Sequence, residues 1–213
     1  MFPIGELDRL ETFLLRNAAE SPTGTYTFGV LVVDQREKLN RELVLSCLNE
    51  YDDYSAENFD FYIPGYSDYR HGDYVDAGFS VKGKPYYYSK SSFLKFKRYL
   101  ESVFAITIGH TPELILVSVK NDNSTINSDD LKNHISKYYV YDFSKNRESI
   151  EASNRFFLDV FDVVKKYDVL SRSSGLDRTY LVKGDLIDIL VQIANKYRKD
   201  VIMLVISFVI DSC

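Results

Sequence analysis

The chain has 213 residues, of which 45% are apolar and 27% charged, a profile that excludes global disorder and is long enough to bury a core without staples. A net charge of −5 argues against non-specific binding to a nucleic-acid backbone, which needs a basic footprint. Cys47 and Cys213 are the two cysteines, too few for a disulfide framework, and no basic region followed by an apolar run opens the chain, so the expected compartment is a reducing cytoplasm.

Ile4 to Ala19 carries Leu7, Leu10, Phe13, Leu14 and Leu15 at helical spacing and reads as an amphipathic helix, broken by Ser21-Pro22-Thr23-Gly24. Tyr26 to Asp34 is apolar and β-branched over its second half, as a buried parallel strand is. Leu39, Leu43, Cys47 and Tyr51 then lie four apart, widened by Val44 and Leu48, which predicts one helix ending at Tyr51-Asp52-Asp53-Tyr54. Phe59 to Ile63 is a second strand, stopped by Pro64-Gly65.

Tyr66 to Lys90 reads as a long irregular insertion, within which Phe79 to Val81 and Tyr86 to Tyr88 could pair as a small hairpin across Lys82-Gly83-Lys84. Phe93 to Ile106 is a helix with Phe93, Phe96, Leu100, Val103 and Phe104 on its apolar stripe, and Ser91 or Ser92 as N-cap. Lys82, Lys84, Lys90, Lys95, Lys97 and Arg98 form a basic region that reads as a solvated helix face plus loop. Glu113 to Lys120 is a third buried strand. Asn121 to Asn127 is a polar turn, followed by a short helix capped by Ser128 with Leu131 and Ile135 inward. Tyr138 to Phe143 is a fourth strand and Ile150 to Tyr167 a helix.

Beyond the link Ser171 to Gly175, a last helix spans Asp185 to Tyr197. The apolar run Val201 to Ile210 is about half the roughly 20 residues that a membrane-spanning helix needs. No span is expected, and a strand, a core helix and an interface all remain open for it. The expected organisation is an α/β domain over 1–170 with a tyrosine-rich insertion at 66–90, and a helical and apolar extension over 171–213.

From Tyr26 onward the order strand, helix, strand, helix, strand, strand, helix resembles the thioredoxin fold. Thr111-Pro112-Glu113-Leu114-Ile115-Leu116-Val117 is similar to the segment in which a proline, usually cis, opens the third strand of that fold. The resemblance covers roughly residues 26–167 and implies a mixed central sheet flanked by helices, with Pro112 as the candidate cis-proline. It does not carry over the redox activity. That chemistry needs a thiol at the start of the first helix, where the pKa is lowered, and here those positions read Asp34-Gln35-Arg36-Glu37-Lys38. Cys47 lies about three turns further on, on the apolar stripe, where a small core residue is expected.

Other chemistries find no pattern. The three histidines, His71, His110 and His134, lie at no ligand spacing from one another. Asp68, His71, Asp73 and Asp76 form the densest polar cluster, which lacks the calcium-loop and zincin patterns. There is no dinucleotide fingerprint, phosphate-binding loop or nucleophile elbow. No cofactor, metal or catalytic residue is therefore expected.

The aromatic loading, 17 tyrosines and 14 phenylalanines with no tryptophan, is the unusual feature. Tyrosines on loops offer a stiff, half-polar contact surface, or they cap sheet edges and pack beneath the insertion. The candidate interaction or ligand surface is Tyr66, Asp68, Tyr69, Arg70, His71, Asp73, Tyr74, Tyr86, Tyr87 and Tyr88. A non-catalytic binding or scaffold protein that meets protein partners, its own copies included, is the first expectation. In style it resembles accessory proteins of bacterial gene clusters, the phage-defence type among them. A ligand or nucleotide sensor, or an enzyme of unfamiliar type, with a pocket under the 66–90 loop is the alternative.

Overall fold

The computed structural model describes residues 2–20, 25–55, 60–110, 112–120, 131–142 and 158–159. Two sheets carry the fold. The larger has the order β1-β3-β2-β7-β8 and the smaller the order β4-β6-β5. In the larger sheet β1 (Phe2–Ile4), β3 (Phe61–Pro64) and β2 (Thr25–Val32) run parallel. Strand β7 (Glu113–Lys120) is antiparallel to β2, and β8 (Ile135–Asp142) is antiparallel to β7.

The central pair explains the core. Strand β7 is buried at every position but Lys120, and Phe28, Val30, Leu31 and Val32 of β2 are buried beside it. Successive residues on a strand point to opposite faces, so burial of consecutive positions means that both faces of the sheet are covered. One cover is α1 (Leu7–Glu20), which buries Leu10 and Leu14. The expected start of this helix at Ile4 is corrected: Phe2–Ile4 forms the edge strand β1, paired from Phe2↔Tyr62 to Ile4↔Pro64.

The single helix expected after β2 is also corrected. It is α2 (Lys38–Leu43), a 3-10 turn (Leu45–Cys47) and α3 (Leu48–Ser55). Val44, Leu45, Cys47 and Leu48 are all buried. The break falls at Val44, whose φ of −120° leaves the helical range. The buried Cys47 takes the core position expected for it.

The expected irregular insertion is a three-stranded antiparallel sheet, β4 (Tyr66–Ser67), β5 (Val75–Val81) and β6 (Lys84–Tyr88), in which the expected hairpin is present, Val81 pairing with Lys84. Helix α4 (Lys90–Phe104) follows, with Phe93, Phe96, Leu100, Val103 and Phe104 buried as the spacing predicts. Its N-cap is Ser89 rather than Ser91 or Ser92. The Ser89 hydroxyl oxygen accepts the Ser92 N–H at 3.1 Å, satisfying one of the amides that a helix start leaves unpaired. The short helix α5 (Leu131–His134) ends at once in β8, which starts three residues earlier than expected.

Among the described residues no helix is long and apolar enough to cross a membrane. Leu158 and Asp159 are helical. The rest of 150–167, the extension 171–213, the turn 121–127, Ser128 and Thr111, and with Thr111 the bond to Pro112, lie outside the described residues.

Candidate functional site

Ligand sites in sheets of this kind gather beyond the carboxyl ends of the parallel strands. Residues 33–37 leave β2 there, and the structure closes the place with a polar box. Asp34 is buried. Its Oδ1 accepts the Arg36 backbone N–H at 3.0 Å, the Arg36 Nε–H at 2.9 Å and the Tyr88 hydroxyl at 3.0 Å. Its Oδ2 takes the Arg36 terminal nitrogen. Asn40, also buried, donates from Nδ2 to the Asp34 carbonyl at 2.9 Å and to the His110 carbonyl at 3.3 Å. The Tyr66 hydroxyl donates to the Val33 carbonyl at 3.0 Å.

Burial alone would raise the Asp34 carboxyl. The Arg36 guanidinium and amide, with the Tyr88 hydroxyl, outweigh it and hold the group below the usual carboxylate range,. Burial is likewise the largest reason that the Tyr88 hydroxyl is pushed up, the nearby Asp34 charge adding to it. Both effects favour a fixed carboxylate accepting from a fixed phenol. Arg36 and Tyr88 occupy the lone pairs of Asp34, which ties the segment after β2 to β6.

A carboxyl whose folded pKa lies below its unfolded one stabilises the fold at pH above the unfolded value, and that contribution disappears as pH falls through the folded value. Stability is therefore expected to drop below about pH 4, the ordinary carboxylate range, and Asp34→Asn should flatten that acid limb. At neutral pH the variant should cost about 1–2 kcal/mol, less than for a fully buried pair because Arg36 is partly solvated. Urea midpoints of both proteins from neutral to acid pH check this.

The candidate residues of the insertion separate into two groups. Tyr66, Tyr74, Tyr86 and Tyr88 are buried. Tyr66 and Tyr88 turn toward the box, and Tyr86 packs against Phe79 with ring centroids 5.5 Å apart. Asp73 accepts the Ser89 hydroxyl at 2.9 Å and the Ser91 hydroxyl at 2.5 Å, which ties the loop to the start of α4. Asp68, Tyr69 and Arg70 are exposed, and His71 and Tyr87 are half-buried.

Three of these rings form a ladder. Tyr69 and His71 stack with centroids 4.4 Å apart and planes at 24°. His71 and Tyr74 stack at 4.2 Å and 22°. The inner end is fixed, because the Tyr74 hydroxyl donates to the Gly5 carbonyl at 2.9 Å, and so does the Ser92 hydroxyl. A Cβ on Gly5 would stand 2.5 Å from the Tyr74 hydroxyl oxygen. The loop also holds itself: the Tyr69 N–H meets the Ser67 hydroxyl at 3.2 Å, and the Tyr74 N–H meets the His71 carbonyl at 3.0 Å.

The outer end of the ladder borders an open groove. Residues 3–6, Arg9 and Phe13 line one side and Ser67, Asp68, Tyr69 and His71 the other. Tyr69 is 47% exposed and Phe13 44%. The groove holds about 90 Å³, well below the roughly 300–1,000 Å³ of a site that encloses a drug-sized ligand. No group of three histidine, cysteine or acidic side chains is placed to hold a metal among the described residues.

Asp68, Tyr69 and His71, on the loop half of this groove, are candidates that the polar cluster and the tyrosine enrichment mark in the sequence. Phe13, Glu6 and Arg9 on the other half carry no such mark, because they read as one helix face and the pairing of β1 with β3 is a long-range contact. Arg36 and Asn40 of the polar box left no signal beyond an acidic residue at the end of an apolar strand. No family model, curated protein or solved structure matches the chain.

Proposed function

We propose that the protein is a non-catalytic protein-binding module on a thioredoxin-like scaffold, and that it meets its partner at the groove between α1 and the Asp68–His71 loop. The scaffold reading is supported by element order. From β2 onward the described elements run strand, helix, strand, helix, strand, strand, with the small sheet as an insertion and α5 as a turn. The non-redox part of the reading is supported by the box, where Asp34 and Arg36 occupy positions that would have to carry a thiol.

The ladder carries the binding reading. Single exposed apolar residues are ordinary on a protein surface. Here two aromatic rings, each close to half exposed, border one groove, and one of them is stacked on a rigid support. Holding a ring in place before contact lowers the entropy lost on binding, and buried aromatic anchors supply much of the energy of protein interfaces.

Immobilised full-length protein, exposed to an extract of the cells that make it, should retain a partner that Phe13→Ala/Tyr69→Ala retains at least about tenfold less, the effect of losing one or two anchor residues. Both side chains are partly exposed, so the melting temperature should stay close to that of the wild type. Equal retention by the double variant would count against the groove. Light scattering of the purified protein shows whether that partner is a second copy.

A further inference from the structure

Among the described residues, one charge of the groove has no ion pair. Glu6 is paired with Arg9 at 2.9 Å. Asp68 is exposed and has no ion pair among the described residues. Beside it, the outer ring of the ladder offers exposed surface to the same groove. An aromatic face carries negative partial charge and attracts cations. A carboxylate next to such a face suits a cation that is flat enough to stack and can present N–H donors in its own plane, as a guanidinium can and an ammonium cannot. Beside the groove, Arg16 already lays its guanidinium carbon 5.4 Å over the ring of Phe13, three residues before it on α1.

We propose that this groove receives an arginine side chain of the protein partner. Its guanidinium stacks on Tyr69 and pairs with Asp68, and its aliphatic stem lies along Pro3 and Phe13. The groove's small volume suits the end of one side chain. This proposal rests on the protein-binding reading and names the chemistry of its contact.

The test is a titration of the ¹⁵N-labelled full-length protein with N-acetyl-arginine amide, with N-acetyl-lysine amide at matched ionic strength as the control. The expected result is saturable shifts of the Gly5, Asp68 and Tyr69 amide resonances with the arginine probe, smaller and non-saturating ones with lysine, about three- to fivefold weaker binding in Asp68→Asn, and loss of binding in Tyr69→Ala. No saturable shift at these residues, equal shifts with lysine, or unchanged binding in both variants would overturn the proposal. The two readings fail separately. If Phe13→Ala/Tyr69→Ala loses its partner while the arginine probe does not bind, the arginine assignment falls and the binding face stands. If the double variant keeps its partner, the binding face falls.

Discussion

Replacing Gly65 with alanine should lower the unfolding free energy by on the order of 3–5 kcal/mol. Gly65 has φ +83°, where a Cβ crowds the backbone. A Cβ there would also lie 2.7 Å from the Phe93 Cβ, 2.8 Å from its Cα and 3.0 Å from its nitrogen. Those atoms belong to the first turn of α4 and have no side-chain rotamer by which to withdraw. The residue is also a junction. Its N–H donates to the Ile4 carbonyl at 2.9 Å, and its carbonyl accepts the Ser89 N–H at 3.0 Å, so one residue ties β1 to the start of α4 between β3 and β4. Urea unfolding should show a lower midpoint, and a midpoint within error of the wild type would mean that this close approach is wrong.

Tyr66→Ala should cost a similar amount, on the order of 3–5 kcal/mol, by analogy with large aromatic truncations in cores. Tyr66 is fully buried. Its ring contacts Tyr88 and Phe79, with centroids 5.1 Å and 5.8 Å away, which packs β4 against β6 and β5, and its hydroxyl reaches the Val33 carbonyl beyond β2. Tyr66→Phe keeps the ring and loses the hydrogen bond to the Val33 carbonyl, so it should cost about 1 kcal/mol. The difference between the two variants separates packing from the polar anchor. If phenylalanine cost as much as alanine, the hydroxyl rather than the ring would hold the insertion in place.

These substitutions fall where the sequence is hardest to read. Strands β2 and β7 and helix α4 are legible because long apolar runs or a sustained helical stripe leave little alternative. Strand β1 is not: three residues with a proline among them carry no periodic signal, and their partner in β3 is some sixty positions away. The small sheet is legible only in its β5–β6 hairpin. Most of β5 is exposed or half-buried, its pairing with β6 is irregular between Asp76 and Ser80, and Gly78 sits at φ +76°. Ala77, Phe79 and Val81 still alternate with Gly78 and Ser80, which makes the hairpin with Tyr86–Tyr88 legible, whereas the two residues of β4 carry no periodic signal.

The tyrosines show the limit most clearly. Tyr66, Tyr69, Tyr74 and Tyr88 look alike in the sequence. In the fold, Tyr66 and Tyr88 are core rings whose hydroxyls satisfy a carbonyl and a carboxylate, Tyr74 anchors the ladder and Tyr69 is left half in solvent. A phenol suits all of these roles, and tertiary contacts decide which one each residue takes. The thiol-free segment after β2 was legible as an absence. What fills it, a closed Asp34–Arg36–Tyr88 anchor, required the insertion to fold back over the end of β2.

A polar box at the end of β2 and an open groove beside the aromatic ladder are separate places in the molecule, and the groove is the proposed binding face. The most direct test measures partner retention and urea midpoint side by side for Asp34→Asn and Phe13→Ala/Tyr69→Ala. The account predicts that Asp34→Asn lowers the midpoint and keeps the partner, while the double variant keeps the midpoint and loses the partner. If Asp34→Asn released the partner and the double variant held it, the working site would lie at the end of β2 and the central claim would be contradicted.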